Sequence, residues 1–174
     1  MLEIREEASA DRDAAGEANR LAFGGDDEAM LVDALRAGGY LRVSLVAEDQ
    51  GRVVGHIVFS DLPVVTAGTT VETLALAPMA VLPEFQRRGI GSALVREGLD
   101  LCRRRGHRIV VVLGHPGFYP RFGFSTDLAV PLASPFAGDS FMALELIPGA
   151  LEGVAGTVCY PPPFGVFEDQ PHTP

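Results

Sequence analysis

The chain has 174 residues, enough for one domain with a sizeable core, and at 47% hydrophobic and 21% charged residues its composition is that of an ordinary globular protein. Its formal net charge of −9 argues against general nucleic-acid binding. All 14 basic side chains are arginine, so chemistry that needs a lysine amine is excluded. The two cysteines, Cys102 and Cys159, make no disulfide framework. The first twenty residues are too charged for a signal peptide, and no apolar run is as long as a membrane span. These features predict a cytoplasmic protein with no membrane partner.

Leu2 to Glu6 reads as a first strand. Ser9 then reads as a helix N-cap, with Asp11 and Asp13 complementing the dipole of a helix closed by Leu21 and Phe23. Asp26 opens a second helix with Met30, Leu31, Ala34 and Leu35 at helical spacing, and Gly38-Gly39 stops it. The period then changes. Leu41 to Glu48 and Val53 to Ser60 read as strands joined by a hairpin turn at Asp49 to Arg52, and Thr70 to Leu82 as a third, in an antiparallel meander. His56 reads as an ordinary strand histidine, facing solvent or a satisfying neighbour.

Gly89 to Gly106 predicts a helix with Ile90, Leu94 and Leu101 on one face, beside Ala93 and Cys102. Its final arginines, Arg103 to Arg105, read as a solvated end that suits the dipole. Ile109 to Leu113 is a continuous apolar run expected as a strand buried on both faces, parallel to the third strand through a βαβ crossover. A turn or short helix follows at Pro116 to Phe124. Strands are expected at Leu128 to Leu132 and Phe141 to Ile147, with a loop between them. Residues 157–167 are apolar enough to pack on the body, or could serve a homodimer. The expectation is one mixed α/β (α+β) domain over 1–167 with a flexible tail at 168–174.

The stretch from Met79 to Ser92 carries the chemistry. Arg87 and Arg88 precede a helix whose N-terminus already carries partial positive charge, the wrong end for cations in an unliganded protein. An anion bound there resolves the mismatch. Gly89 and Gly91 allow close backbone approach, and first-turn N–H groups are free to donate. A diphosphate is a natural occupant; a plain glycine turn beside two solvated arginines is the alternative. A Walker P-loop fails for want of lysine. A Rossmann fingerprint fits poorly, because Gly89-Ile90-Gly91-Ser92-Ala93-Leu94 lacks the third glycine and follows an antiparallel meander.

Gln86-Arg87-Arg88-Gly89-Ile90-Gly91 matches Q/R-x-x-G-x-G/A, and Tyr119-Pro120-Arg121-Phe122-Gly123-Phe124 resembles Tyr-x-x-x-Gly-Phe. In these motifs, and in the order of its elements, the chain resembles the GNAT superfamily of N-acetyltransferases over nearly its whole length. The Gly-His-Pro-x-Phe-Tyr-x-Arg-Phe-Gly-Phe stretch and the Gly-x-Val-x-Tyr-Pro ending resemble its bacterial YhbS-type members.

The resemblance implies a mixed sheet with central antiparallel strands, a βαβ crossover and flanking helices. It implies acetyl-CoA as co-substrate, no metal, and a small-molecule or peptide amine as acceptor. By the same resemblance, Met79, Ala80 and Val81 pair with the pantetheine arm. Gln86 opens the diphosphate signature, and Arg87, Arg88, Gly89, Ile90, Gly91 and Ser92 hold the diphosphate. Tyr119 matches the residue that protonates the leaving thiolate; packing under the pantetheine is the alternative for its ring.

Two departures stand out. Many members carry an Asn on or just after the fifth strand, where this chain has Gly114-His115-Pro116. Some use a fourth-strand Glu as base, where this chain has Ala75. Glu72 and His115 are the remaining candidates for a base. A non-catalytic acyl-CoA-binding sensor is therefore the alternative to an enzyme. The net acidity points towards a cationic acceptor amine.

Overall fold

The computed structural model describes residues 1–165; Phe167 and the tail expected at 168–174 lie outside the described residues. In chain order the elements are β1 (Leu2–Glu6), α1 (Arg12–Phe23), α2 (Asp27–Ala37), β2 (Leu41–Asp49), β3 (Arg52–Asp61), β4 (Val64–Thr66), β5 (Thr70–Val71) and β6 (Leu74–Val81). They continue with α3 (Ile90–Arg104), β7 (Ile109–Leu113), α4 (Thr126–Ala129), β8 (Leu132–Ala133), β9 (Phe141–Glu145) and β10 (Gly156–Val158). Two compact units form: Met1–Ser60 with Leu76–Gly106, and Asp61–Ala75 with His107 onward.

In the first unit the hydrogen-bonded strand order is β1-β2-β3-β6. β1 and β2 run antiparallel, as do β2 and β3. The β2–β3 turn is a two-residue loop with Gln50 at φ 51° and Gly51 at φ 79°, the backbone handedness that matches strand twist. α3 is strongly amphipathic. Ile90, Leu94, Val95, Leu99 and Cys102 are buried, whereas Leu101, expected on that face, is only half-buried. Gly98 brings this helix close: a Cβ there would lie 2.4 Å from Phe59 Cε2. The helix end is exposed, as expected, and there Arg105 pairs with Glu6 and Arg103 with Asp100.

α1 and α2 bury small or branched residues, among them Ala15, Ala18, Val32 and Leu35, while Leu21, Phe23 and Met30 stay exposed. Ser9 caps nothing. It begins a 3-10 turn, and Asp11 takes over by accepting from the Ala8 N–H at 2.7 Å and from both terminal nitrogens of Arg5 at 2.7 and 2.9 Å. Arg5 also reaches Glu48. The Arg5 bonds, reinforced by the Ala8 N–H, outweigh burial and hold the Asp11 carboxyl at about 2.

A polar network ties Glu7, just after β1, to both helices and to β2 and β3. His56 is fully buried. Asn19 Nδ2 donates to Ala15 O at 2.9 Å, which orients the amide, and its other proton meets His56 Nδ1 at 3.0 Å. His56 Nδ1 must accept, so Nε2 carries the proton and donates to Ser44 Oγ at 2.8 Å. Ser44 in turn donates to the Glu7 carboxylate, which also takes Arg36 Nη2 at 2.7 and 3.1 Å. Burial pushes the Glu7 carboxyl up, but the bonds from His56, Ser44 and Arg36 outweigh it and hold it at about 2.

In the second unit β6 supplies Leu74 and Ala75, which pair in parallel with Val110 and Val111 of β7, and β7 pairs antiparallel with β9. The parallel pair is the expected crossover, with α3 in the connection. A second sheet of order β5-β4-β10-β8 was not anticipated. It corrects the expectation of one strand from Thr70 to Leu82: Thr70–Val71 pairs with Val64 and Val65, and Glu72 sits exposed in the break before β6. The strand expected at Leu128 to Leu132 is instead the helical turn α4 followed by β8. Ser125 caps that turn by accepting from Asp127 N at 3.1 Å, local cap chemistry that overrides the apolar run. Val158 and Tyr160 join this unit's core with Leu62, Ile109, Phe141 and Leu151, so the 157–165 stretch packs as expected.

Candidate functional site

β6 ends where the sequence reading placed its cofactor residues. Ala80 and Val81 are buried and Met79 half-buried. Gly55 of β3 lies against this end: a Cβ there would meet Ala80 O at 3.1 Å and Leu94 Cδ1 at 3.0 Å. Leu82 N donates to Val54 O at 2.9 Å, the last bond of the ladder. Pro83 then starts a 3-10 turn, closed by Phe85 N donating to Leu82 O at 2.8 Å. Gln86 reaches back, and its Nε2 donates to Val81 O at 3.0 Å.

The next residues leave ordinary strand or helix geometry. Arg87 has φ 62°, a left-handed conformation that costs a non-glycine residue about 1 kcal/mol or more. Gly89 follows at φ 82° and is the N-cap of α3, with open space around it. Arg87, Arg88 and Gly89 are exposed, Gly91 and Ser92 half-buried, and Ile90 buried as an anchor for the helix start. No side chain caps α3, and its first turn holds no acidic residue. The contrast with α1 and α2 lies in charge, since neither has a side-chain cap bond either: the first turn of α1 holds Asp13, and that of α2 holds Asp27 and Glu28. The α3 start thus keeps donors and partial positive charge uncompensated.

Phe85 was not among the sequence-predicted site residues. The guanidinium of Arg88 lies 5.1 Å from its ring centre and that of Arg52 lies 5.6 Å away, and Arg52 also pairs with Glu84 at 3.0 Å. An aromatic placed just before an arginine pair is the signal that could have found it. The loop is therefore held by stacking, and the cations next to it stay solvent-facing.

Tyr119 belongs to the second unit. It opens a 3-10 turn at Tyr119–Phe122, the short helix expected there, and is 7% exposed. Its ring packs edge-on to Phe118 at 5.0 Å and to Phe124 at 5.6 Å. Burial pushes its phenol up to about 12, so the hydroxyl stays protonated at neutral pH. Gly114 lies under the same ring, and a Cβ there would fall 2.3 Å from Tyr119 Cε2. His115 is exposed, and its carbonyl accepts from the Phe118 and Tyr119 N–H groups. Among the described residues, no group of three or more His, Cys, Asp or Glu could hold a metal, and no helix is long and apolar enough to cross a membrane.

A mixed sheet with flanking helices and an open, arginine-led helix start after β6 define a GNAT-type architecture. A family profile described as an acetyltransferase (GNAT) domain matches residues 3–126, and the chain belongs to that family. It is 38% identical over 151 residues to the uncharacterized N-acetyltransferase YhbS of Escherichia coli, covering 85% of this chain and 89% of the relative. The crystal structure of YhbS in complex with CoA superposes with a TM-score of 0.87 at 36% identity, over 94% of this chain and 92% of that one. A GNAT acetyltransferase from Brucella melitensis, in complex with acetyl-CoA, superposes with a TM-score of 0.79 at 36% identity, over 94% and 98%.

Proposed function

We propose that this chain is an N-acetyltransferase that moves an acetyl group from acetyl-CoA directly to a primary amine of a small molecule or protein, with residues 1–167 working as one domain. The observation that carries this reading is the uncapped α3 start, free of acidic residues and led by Arg87 and Arg88. The first-turn N–H groups from Gly89 to Ser92 would hold the diphosphate, with the arginines adding charge-assisted contacts. The backbone of Met79 to Val81 would pair with the pantetheine arm as an added strand.

In the reaction the amine lone pair attacks the thioester carbonyl carbon and a tetrahedral oxyanion forms. A backbone N–H near Val81 stabilises that oxyanion. The C–S bond then breaks, and Tyr119 gives its phenolic proton to the departing sulfur. A phenol raised to about 12 is fully protonated beforehand, as an acid must be. Glu72 and His115, each exposed, are candidates to take the amine's proton; an amine of low pKa can lose it to water. The net charge of −9 favours a cationic acceptor.

Titration calorimetry with acetyl-CoA, followed by CoA release across propylamine, spermidine, an aminoglycoside and a peptide with a free N-terminus, tests the proposal. Binding with turnover on at least one amine is expected; no binding at millimolar acetyl-CoA would sink it. Tyr119→Phe should lower kcat by about 100-fold or more with acetyl-CoA affinity kept, the range for loss of a general acid. Equal loss of affinity and rate would mean that the ring only packs. A second reading, an acyl-CoA sensor without catalysis, draws on Gly114, where the Tyr119 ring leaves no room for an Asn side chain. It requires tight CoA binding and no turnover on the whole panel.

A further inference from the structure

Gln86 opens the diphosphate signature, yet its amide bonds back to the end of β6. Gln86 Nε2 donates to Val81 O at 3.0 Å. The same peptide unit, Val81 C=O with Leu82 N–H, is held from its other side by Leu82 N donating to Val54 O at 2.9 Å. The peptide plane that ends β6 is thus pinned at its oxygen by a side chain and at its nitrogen by a neighbouring strand. The backbone between the pins turns sharply at Pro83 and is closed by Phe85 N donating to Leu82 O. Releasing the oxygen would leave one pin, and the plane could rotate about the Val81 ψ angle. An unmade carbonyl bond of this kind at a half-open site changes a local equilibrium by a factor of roughly 2 to 10.

We propose that Gln86 is a positioning residue that, through the Val81 carbonyl, fixes the end of β6 for acetyl transfer. It is not a ligand of the diphosphate. This rests on the acetyltransferase reading above. The pantetheine and the thioester carbonyl need the backbone of Met79 to Val81 at a set angle, and small misplacement of an oxyanion donor costs rate more than affinity. The diphosphate is left to the backbone from Arg87 to Ser92. The same link joins the two ends of the cofactor's path: a shift at Arg87 is felt at Val81 through one side chain.

The test compares Gln86→Met, which keeps length and loses the donor, with Gln86→Arg, which keeps N–H donors on a long stem. Three quantities are measured: the acetyl-CoA dissociation constant by calorimetry, kcat for CoA release with the fastest amine of the panel, and amide hydrogen exchange at Leu82 in the ligand-free protein. Expected for Gln86→Met are a kcat lowered about tenfold, a dissociation constant within twofold of the parent, and several-fold faster exchange at Leu82. Gln86→Arg should restore rate and protection together. A raised dissociation constant with kcat unchanged would make Gln86 a diphosphate ligand and overturn the proposal, as would unchanged kcat and exchange. Failure of the acetyltransferase reading is distinguishable: the parent chain would then bind no acetyl-CoA, or bind it without turnover on any amine of the panel, while Leu82 exchange would still respond to Gln86→Met.

Discussion

Two polar regions of the first unit are built on opposite principles. The network of Glu7, Asn19, Arg36, Ser44 and His56 is closed inward: the Glu7 side chain is 2% exposed and that of His56 is fully buried, although Arg36 reaches solvent and its Nε and the Asn19 Oδ1 find no partner among the described residues. Its carboxylate, guanidinium, imidazole and hydroxyl are bonded to one another. The loop from Glu84 to Ser92 is open. Its arginines are exposed, its helix start has no cap, and Arg87 sits in a strained conformation. A buried network resolves its charges internally and so serves the fold, whereas an open loop with unresolved charge is stable only because water tolerates it. The unresolved end is where a ligand gains most.

The sharpest way to break that contrast is Glu7→Ala. Arg36 and His56 would lose their shared partner inside the structure, and stability should fall by about 3–5 kcal/mol in urea unfolding. Folded protein of that variant should bind acetyl-CoA as before. The acid limb gives the same information more gently. The folded carboxyl of Glu7 lies below its unfolded value, so its contribution is fully present above about pH 4.5 and is lost as pH falls towards 2. Asp11 adds to the same window. Glu7→Ala should flatten the stability–pH profile between those values; an unchanged slope would mean that Glu7 is not the group involved.

The open region should respond in the reverse sense. Arg87→Gly relieves a left-handed arginine, so stability should rise by up to about 1 kcal/mol while acetyl-CoA affinity falls about tenfold, more steeply at low salt. A drop in stability would show that Arg87 supports the fold. The smallest effect is expected from Gly89→Ala, because open space surrounds the position and only the positive φ resists, at about 1 kcal/mol. Thermal unfolding with and without acetyl-CoA would resolve it.

The two regions also differ in how far the sequence reveals them. The loop is contiguous, and its chemistry follows from residue order: an apolar run, a proline, two arginines, a glycine turn and a helix. The helix starts after the glycine turn, as that order implies, but the left-handed φ of Arg87 could not be read from it. The network joins residues up to 49 positions apart, and periodicity carries no sign that Glu7 meets His56. His56 is satisfied, as expected, but at the centre of a web rather than by a single neighbour. The second sheet was illegible for a related reason. Thr70 to Leu82 has unbroken β character, but its two halves pair with different strands, Thr70–Val71 with β4 and Leu74–Ala75 with β7, partners that local sequence cannot name. Phe85 escaped because stacking by Arg52 depends on the β2–β3 turn arriving beside it.

The contact between Gly114 and Tyr119 bears on how such a site can change over time. Aromatic ring and bare backbone are complementary in volume, so neither position is free to drift alone. Any larger residue at 114 must displace the ring, and any smaller residue at 119 opens a hole beside Phe118 and Phe124. A lineage that acquired an amide side chain at 114 would have to relocate its aromatic in the same step or pass through a poorly packed intermediate. The pair is best regarded as one packing unit, and engineering at either position should begin by substituting both.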